Sequence, residues 1–458
     1  MSGIIFGSGI TVGGGIDIGQ GSPVGSGGYI DIFGNNFTNP STTISRQNNL
    51  VYDSSNNLYM VGYTDSGSNS TGIVAKYNVN GTLQWQRTLG ASSPNSTNFF
   101  GIDLDNSNNL YISGGTSSDG TTDGSDVQIV KYDTNGNLQW QKTLGSAGLN
   151  QQGLSVVVEQ STGDFYVGGS FLPTSSFPQD FRVLLLKYDS SGTLQWQRSL
   201  TPSTSSDQAT CQDIALDSSG NIYIAGSTPT STSSGQGMLI KYNSSGTLQW
   251  QVGLSKATGQ SGYNGITIDS SDNIFVCGIS LTGIGGTQYG IVAKYDTSGA
   301  LQWKKQIGDP AFPILSDITV DSSGNIYTTG STYILKYNTS GNLLWQRQLS
   351  ATSHSVNLYS ITIDSSDNIV AGGYIRPTSG SNNQILMLKV PGDGTPTGTY
   401  TASGISFTYS IPTMPQADLS AWSATTTTMT AGTPSFTAAT SSLTGATSTL
   451  TNSVTSIP

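Results

Sequence analysis

Charge is what this chain has least of. Only 10% of its 458 residues are charged, a single Glu (Glu159) stands among 27 acids, and His354 is the one histidine. Lys and Glu normally solvate helix surfaces; where Ser, Thr, Asn and Gly replace them, strands and turns are favoured. One histidine excludes metal centres built on several imidazoles, and no Ser/His/Asp arrangement can be assembled around it. Two cysteines, Cys211 and Cys277, are too few for a disulfide framework. Cys277, in IFVCGIS, stands where another unit has Ala225 and reads as a small buried residue. No run of 18 apolar residues supplies a helical membrane span. The opening MSGIIFGSGI has no basic stretch before an apolar core, so no secretory signal is expected. The net charge of −10 and pI near 4.4 repel phosphate backbones and anionic membrane surfaces.

What the chain has is repetition. Residues 217–250 read DSSGNIYIAGSTPTSTSSGQGMLIKYNSSGTLQW, and both halves recur. The first half starts at Asp53, Asp105, Asp217, Asp269, Asp321 and Asp364, with a degenerate copy at Glu159. The second starts at Lys76, Lys131, Lys187, Lys241, Lys294 and Lys336, with a worn copy at Lys389. In the six full copies a Trp follows nine residues later: Trp85, Trp140, Trp196, Trp250, Trp303 and Trp345. The first half recurs at intervals of 52, 54, 58, 52, 52 and 43 residues.

Each unit reads as four short strands. In the fourth, DIALD, IYIAG, MLIKY and TLQWQ alternate, separated by turn residues. Four antiparallel strands repeated seven times predict an all-β, seven-bladed β-propeller over residues 46–401. The short interval comes from unit six, whose loop between strands two and three shrinks to Ser331-Thr332, so length varies at one loop position. The seventh unit lacks a Leu-x-Trp strand. PTGTYTA (396–402) is taken first to replace it, and YIDIF from the N-terminal segment second.

The units resemble a bacterial seven-bladed β-propeller-repeat family, whose motif is similar to DSSGNIYVAG…KYDSSGxLQW. That resemblance implies the fold and no shared chemistry.

Two low-charge arms flank the repeats. Residues 1–45 hold a hexad, GSGITV, GGGIDI, GQGSPV, GSGGYI, that fits either a flexible Gly/Ser linker or an extended arm pointing apolar residues at a partner. In residues 402–458 an apolar residue falls every seventh position at Trp422, Met429, Phe436, Leu443, Leu450 and Ile457. A heptad suggests a coiled coil, but Gly432, Pro434 and the many Thr oppose helix, so an extended or β arm is preferred. Either form needs a partner surface to cover its stripe.

No chemistry is singled out. The recurring Asp, joined by Asp272 and Asp367 in units five and seven, could contribute to calcium loops but reads as turn capping. The repeated lysines read as blade packing, with the ammonium reaching a neighbouring turn. The expectation is therefore no catalytic, cofactor-binding or metal-ligating residues, and no enzyme. The loops 64–72, 116–126 and 171–181 are the candidate contact surface; Phe171, Phe177 and Phe181 make the last of them the most apolar.

The Gly-rich opening and Ser/Thr-rich tail resemble those of bacteriophage virion structural proteins, particularly cyanophage ones. That resemblance implies a virion appendage (tail, neck or fibre) assembled in the host cytoplasm. Its arms would hold other virion proteins or further copies of the chain, and its propeller would meet a host-surface glycan or protein. The alternative is a secreted or cell-surface propeller adhesin. Neither reading involves nucleic acid or membrane insertion. On these boundaries, removing 1–38 or 403–458 should leave the propeller folded.

Overall fold

The computed structural model describes residues 29–33, 41–43 and 49–447, apart from loop stretches at 66–69, 80, 91–95, 118–124, 146–149, 173–180, 202–207, 229–234, 256–258, 282–286, 309–313, 380–382, 396 and 403–404 and the positions between the last short strands. Every regular element among the described residues is a β-strand. The chain is a seven-bladed propeller of four-stranded antiparallel blades. Blade four shows the pattern: Thr210–Leu216 at the channel, then Ile222–Thr228, Gln236–Tyr242 and Leu248–Ser255 at the rim.

Alternation along each strand sends apolar side chains to both faces of a blade, and neighbouring blades bury them. Tyr59, Val61 and Val74 of blade one pack with Phe99, Ile102 and Ile112 of blade two. Across the ring closure, Leu50, Leu58 and Met60 pack with Val370, Ile385 and Met387 of blade seven. The innermost strands of blades two, three, four, five and seven are bulged, in blade four between Cys211 and Asp213. The facing residue of the second strand there is Gly226, where a Cβ would collide with the Thr210 carbonyl.

The missing strand of blade seven comes from the other end of the chain. Tyr29–Phe33 pairs antiparallel with Gln384–Val390, Tyr29 facing Lys389 and Phe33 facing Ile385. The first choice, PTGTYTA, is corrected: Gly398–Ala402 pairs with Ile405–Ser410 instead. N-terminal residues thereby complete a blade whose other strands lie some 350 residues away (Tyr29 facing Lys389), which ties the ring shut.

The tail is neither a coiled coil nor a stalk among its described residues. It runs backwards round the ring, adding one outer strand per blade. Ile405–Ser410 pairs with blade six, Gln416–Asp418 with blade five, Ser423–Thr426 with blade four, Thr430–Gly432 with blade three, Thr437–Thr440 with blade two and Thr444–Thr447 with blade one. From Gln416 the strands begin every seven residues, which is the heptad seen in the sequence. The period measures the step from one blade edge to the next. The apolar beats at Trp422, Met429, Phe436 and Leu443 immediately precede these strands in sequence and lie outside the described residues, as do Leu450 and Ile457.

These pairings set unequal consequences for the two truncations. Removing residues 1–38 deletes the closing strand of blade seven and should abolish the single cooperative thermal transition. Removing 412–458 bares the edges of blades one to five; the ring should still fold, with a lower melting temperature and concentration-dependent association through the exposed edges. Calorimetry and light scattering on the two truncated chains distinguish these outcomes.

Candidate functional site

Three regions could carry function: the face bearing the repeated turns, the central channel and the opposite, loop-bearing face.

On the turn face each signature Asp is enclosed by its own unit. Asp217 accepts hydrogen bonds from the backbone N–H groups of Ser219 (3.0 Å) and Asn221 (2.8 Å), from Asn221 Nδ2 (2.8 Å) and from the Tyr223 hydroxyl (3.0 Å). Lys241 Nζ lies 3.4 Å from the same carboxylate and 4.9 Å from the Tyr223 ring centroid. Burial pushes the Asp217 carboxyl up, but the Asn221 and Tyr223 hydrogen bonds and the Lys241 ammonium outweigh it and hold it below the usual value. Lys241 and Trp250 Nε1 also donate to the Thr297 carbonyl of blade five, at 3.5 and 3.2 Å. Asp53 and Asp321 are held in the same way, with Lys76 and Trp85 reaching Thr134, and Lys336 and Trp345 reaching the Gly392 carbonyl. The constellation is a latch between successive blades. A calcium ion at Asp217 would have to displace an ammonium and four hydrogen-bond donors.

The second acids have the same explanation. Asp272 and Asp367 sit at positive φ (61° and 59°), a position Asn56 and Asn108 fill in blades one and two. Asp272 accepts from Ser218 of the preceding blade through N–H (2.9 Å) and hydroxyl (2.7 Å); Asp367 does so from Ser322. Asn56 makes the equivalent bridge to Ser365 across the ring closure.

The channel encloses about 840 Å³. It is lined by apolar and hydroxyl side chains of the inner strands, among them Val51, Val157, Ala215, Thr267, Thr319 and Thr362, with Asp103 as the acid in that layer. Asp103 accepts from Val158 N–H (2.8 Å), and burial pushes it up to about 6. Behind this layer lie Asp213, at the bulge of blade four, and Asp317, which opens the inner strand of blade six; both are fully buried. Asp213 accepts from Ser155 Oγ of blade three (2.8 Å), its neighbour Ile214 N–H (2.7 Å) and Ile266 N–H of blade five (2.9 Å). Asp317 likewise takes Ser360 Oγ (3.0 Å) and Ile361 N–H (2.8 Å) of blade seven. One carboxylate thus clasps three blades at Asp213. Burial, with the Asp317 charge behind it, pushes Asp213 up to about 7 against its hydrogen bonds. Sequence reading overlooked these acids. The signal was present: Asp213 and Asp317 stand four residues before the signature Asp, where other units have Asn49, Gly101, Ser155, Gly265 and Ser360.

On the opposite face emerge the loops between strands two and three and those between blades. Of the three loops singled out from sequence, 66–69, 118–124 and 173–180 lie outside the described residues, including Phe177. Phe171 is buried in the core between blades two and three, against Val127 and Val156 among others. Phe181 is half-buried, its carbonyl accepting from Ala209 N–H. A depression of about 470 Å³ opens where blades five, six and seven meet, lined by Gln288, Thr332, Ser350, His354 and Asn357 among others. It exists because the two shortest connections meet there: Ser331-Thr332 within blade six and Thr352-Ser353 between blades six and seven, the latter a tight hairpin with Ala351 facing His354. His354 Nδ1 lies 2.8 Å from the Thr352 carbonyl, so the proton sits on Nδ1 and Nε2 is the acceptor in the neutral ring.

Cys211 and Cys277 are buried and unpaired, and burial raises both thiols, so neither is a ready nucleophile. Among the described residues no three His, Cys, Asp or Glu side chains gather as a metal site, and no helix is long and apolar enough to cross a membrane.

A family model described as outer membrane protein assembly factor BamB matches residues 180–395, somewhat less than half of the chain. No curated protein matches. Among solved structures the chain is similar to the polysaccharide lyase Uly1, at 10% identity over 76% of this chain and 91% of that one, with a TM-score of 0.46. It is similar to a PL25 ulvan lyase at 10% identity, 79% and 96% coverage and a TM-score of 0.46. A gluconolactonase from Xanthomonas campestris follows at 12% identity, 76% and 88% coverage and a TM-score of 0.33. The expectation that the chain is not an enzyme is corrected by this finding, since two of these similar chains are polysaccharide lyases. At such identities the likeness is one of fold alone, and no activity, substrate or site residue passes to this chain.

Two measurements test the carboxylates. Asp217→Ala leaves Lys241 and several buried donors unmatched and should destabilise the ring by about 2 kcal/mol in urea unfolding. For Asp213 the folded-state value near 7 lies above the ordinary 3.8. The folded protein therefore holds an extra proton between these values, and stability is lost as pH rises from about 4 to about 7. The native chain should lose urea resistance relative to Asp213→Asn between pH 5 and pH 8. The depressed latch carboxylates act oppositely, losing their contribution only as pH falls below the usual carboxylate range.

Proposed function

We propose that the chain is a display protein of a bacteriophage virion, a tail, neck or fibre appendage whose propeller presents its loop-bearing face to the host surface. The observation that carries this reading is the division of labour around the ring. Turns on one face are latched blade to blade, the rim is covered by the tail, and loop-length variation falls on the remaining face. A ring with few exposed strand edges and few charges suits long exposure outside a cell. The Gly-rich segment preceding Tyr29 serves as the attachment. The second reading, a secreted or cell-surface adhesin, is favoured by the depression beside His354. Its amides and hydroxyls (Gln288, Thr332, Ser350, Asn357) are the groups that hydrogen-bond a sugar.

Antibodies raised against the propeller should decorate particles of the virus that encodes the chain, seen by electron microscopy, and the protein should appear in the mass spectrum of purified particles. Its absence from purified particles would sink the virion reading. If the depression is the contact site, the double variant Gln288→Ala/Asn357→Ala should weaken adsorption of the purified protein to host cells by about tenfold, in line with the loss of one or two hydrogen bonds. Unchanged adsorption would remove the depression from the site.

A further inference from the structure

The repeat shows which residues a blade requires, and so which it does not. Ten residues past the signature Asp, on the second strand, stand Gly115, Ser227, Ile279 and Ser331, but Tyr63 in blade one and Tyr374 in blade seven. Five residues before the signature acid stands the bulged residue of the inner strand, the extra one that a bulge turns out of the ladder. It is Phe100, Leu154, Gln212, Asn264 and Tyr359 in blades two, three, four, five and seven. Aromatic and apolar residues therefore hold one side of the ring at this level, and amides hold the other.

The tyrosines come together at the loop-side end of the channel, where blades seven, one and two meet. Tyr63 meets the Phe100 ring edge-on with centroids 6.3 Å apart, and Tyr359 lies against Tyr374 at 5.8 Å. Tyr63 and Arg376 are both within electrostatic reach of the Tyr359 hydroxyl. Burial, then Tyr374 and Tyr63, push that hydroxyl up to about 12, so it stays a donor through the physiological range. Tyr63, Tyr359 and Tyr374 are half-buried, and Arg376 is exposed. Among the described residues no hydrogen bond or ion pair holds the Arg376 guanidinium. None of these side chains lines the depression beside His354. We propose that this end of the channel is a saccharide site, for a sugar that carries an acid group. Half-exposed tyrosines offer flat apolar faces to the C–H face of a pyranose and hydroxyls to its polar edge. The guanidinium fork takes the carboxylate or sulfate of that sugar in two parallel hydrogen bonds. The net charge of −10 does not forbid this, because exposed charges farther away than about 8 Å are largely screened at physiological ionic strength.

Affinity electrophoresis of the purified full-length chain tests this. The site rests on its geometry and not on where the chain resides, so it stands or falls apart from the virion reading. Gels cast with polygalacturonate, dextran sulfate or neutral dextran are compared. Retardation by polygalacturonate identifies a carboxylate and by dextran sulfate a sulfate, while neutral dextran should not retard. Tyr63→Ser introduces the residue type that Ser227 and Ser331 supply at the same position, and Arg376→Gln alters an exposed side chain, so both should keep the native melting temperature. Each should weaken binding about tenfold, whereas Gln288→Ala at the depression should leave it unchanged. If Tyr63→Ser melts early, Arg376→Gln alone decides. No retardation by either acidic polymer, equal retardation by dextran, retardation that survives a folded variant, or its loss in Gln288→Ala would overturn the proposal.

Discussion

An open sheet edge is the constraint on which this molecule turns. Seven blades bury their faces against one another, but each leaves a rim strand with unpaired N–H and C=O groups, and a chain so poor in Lys and Glu has few charges to blunt such edges. The solution is covalent economy of another kind: the same chain returns along the rim and pairs with six of them in turn. Six short strands of three to six residues would be marginal on their own. They hold because each one adds to a sheet already fixed by its neighbours.

Inside the rim, order comes from carboxylates used in two distinct ways. The turn carboxylates are surrounded by donors and a lysine, and the ammonium and indole beside them reach one blade further. The channel carboxylates, Asp213 and Asp317, each accept a backbone N–H from a neighbouring blade, that of Ile266 and of Ile361. The latch carboxylate Asp217 is held ionised, whereas burial presses Asp213 towards its neutral form. The two kinds titrate in opposite senses: the contribution of Asp213 is lost as pH rises towards about 7, and that of the latch at Asp217 is lost as pH falls below the usual carboxylate range.

How much of this was legible follows from what repeats. The blade pattern, the turn capping and the reach of the lysines were written in six full copies and one worn one, so local chemistry declared them. The worn seventh unit hid its function because Gly392 acts through its backbone carbonyl, which accepts from Lys336, Tyr327 and Trp345 whatever its side chain is. The closing strand was misassigned because YIDIF and PTGTYTA both alternate, and only three-dimensional proximity chooses between them. The heptad was legible as a period but not as a ruler, since sequence spacing does not reveal what it is measured against. Asp213 and Asp317 were missed because single departures within a repeat look like noise until the ring brings them to one layer.

The two ends of the chain bear on how the ring resists opening. A propeller whose last blade came wholly from its C-terminal repeat could open between blades seven and one by losing only the packing there. Here the fourth strand of blade seven precedes blade one in sequence, so separating those blades also strips Tyr29–Phe33 from Gln384–Val390. The apolar contact of Leu50 and Met60 with Val370 and Met387, the bridge from Asn56 to Ser365 and the bond from Asn49 N–H to Ser360 must all be lost in the same event. Coupling of that sort makes the ring open as one unit, which is the property a display scaffold needs if the loops on its free face are to vary without endangering the fold that carries them.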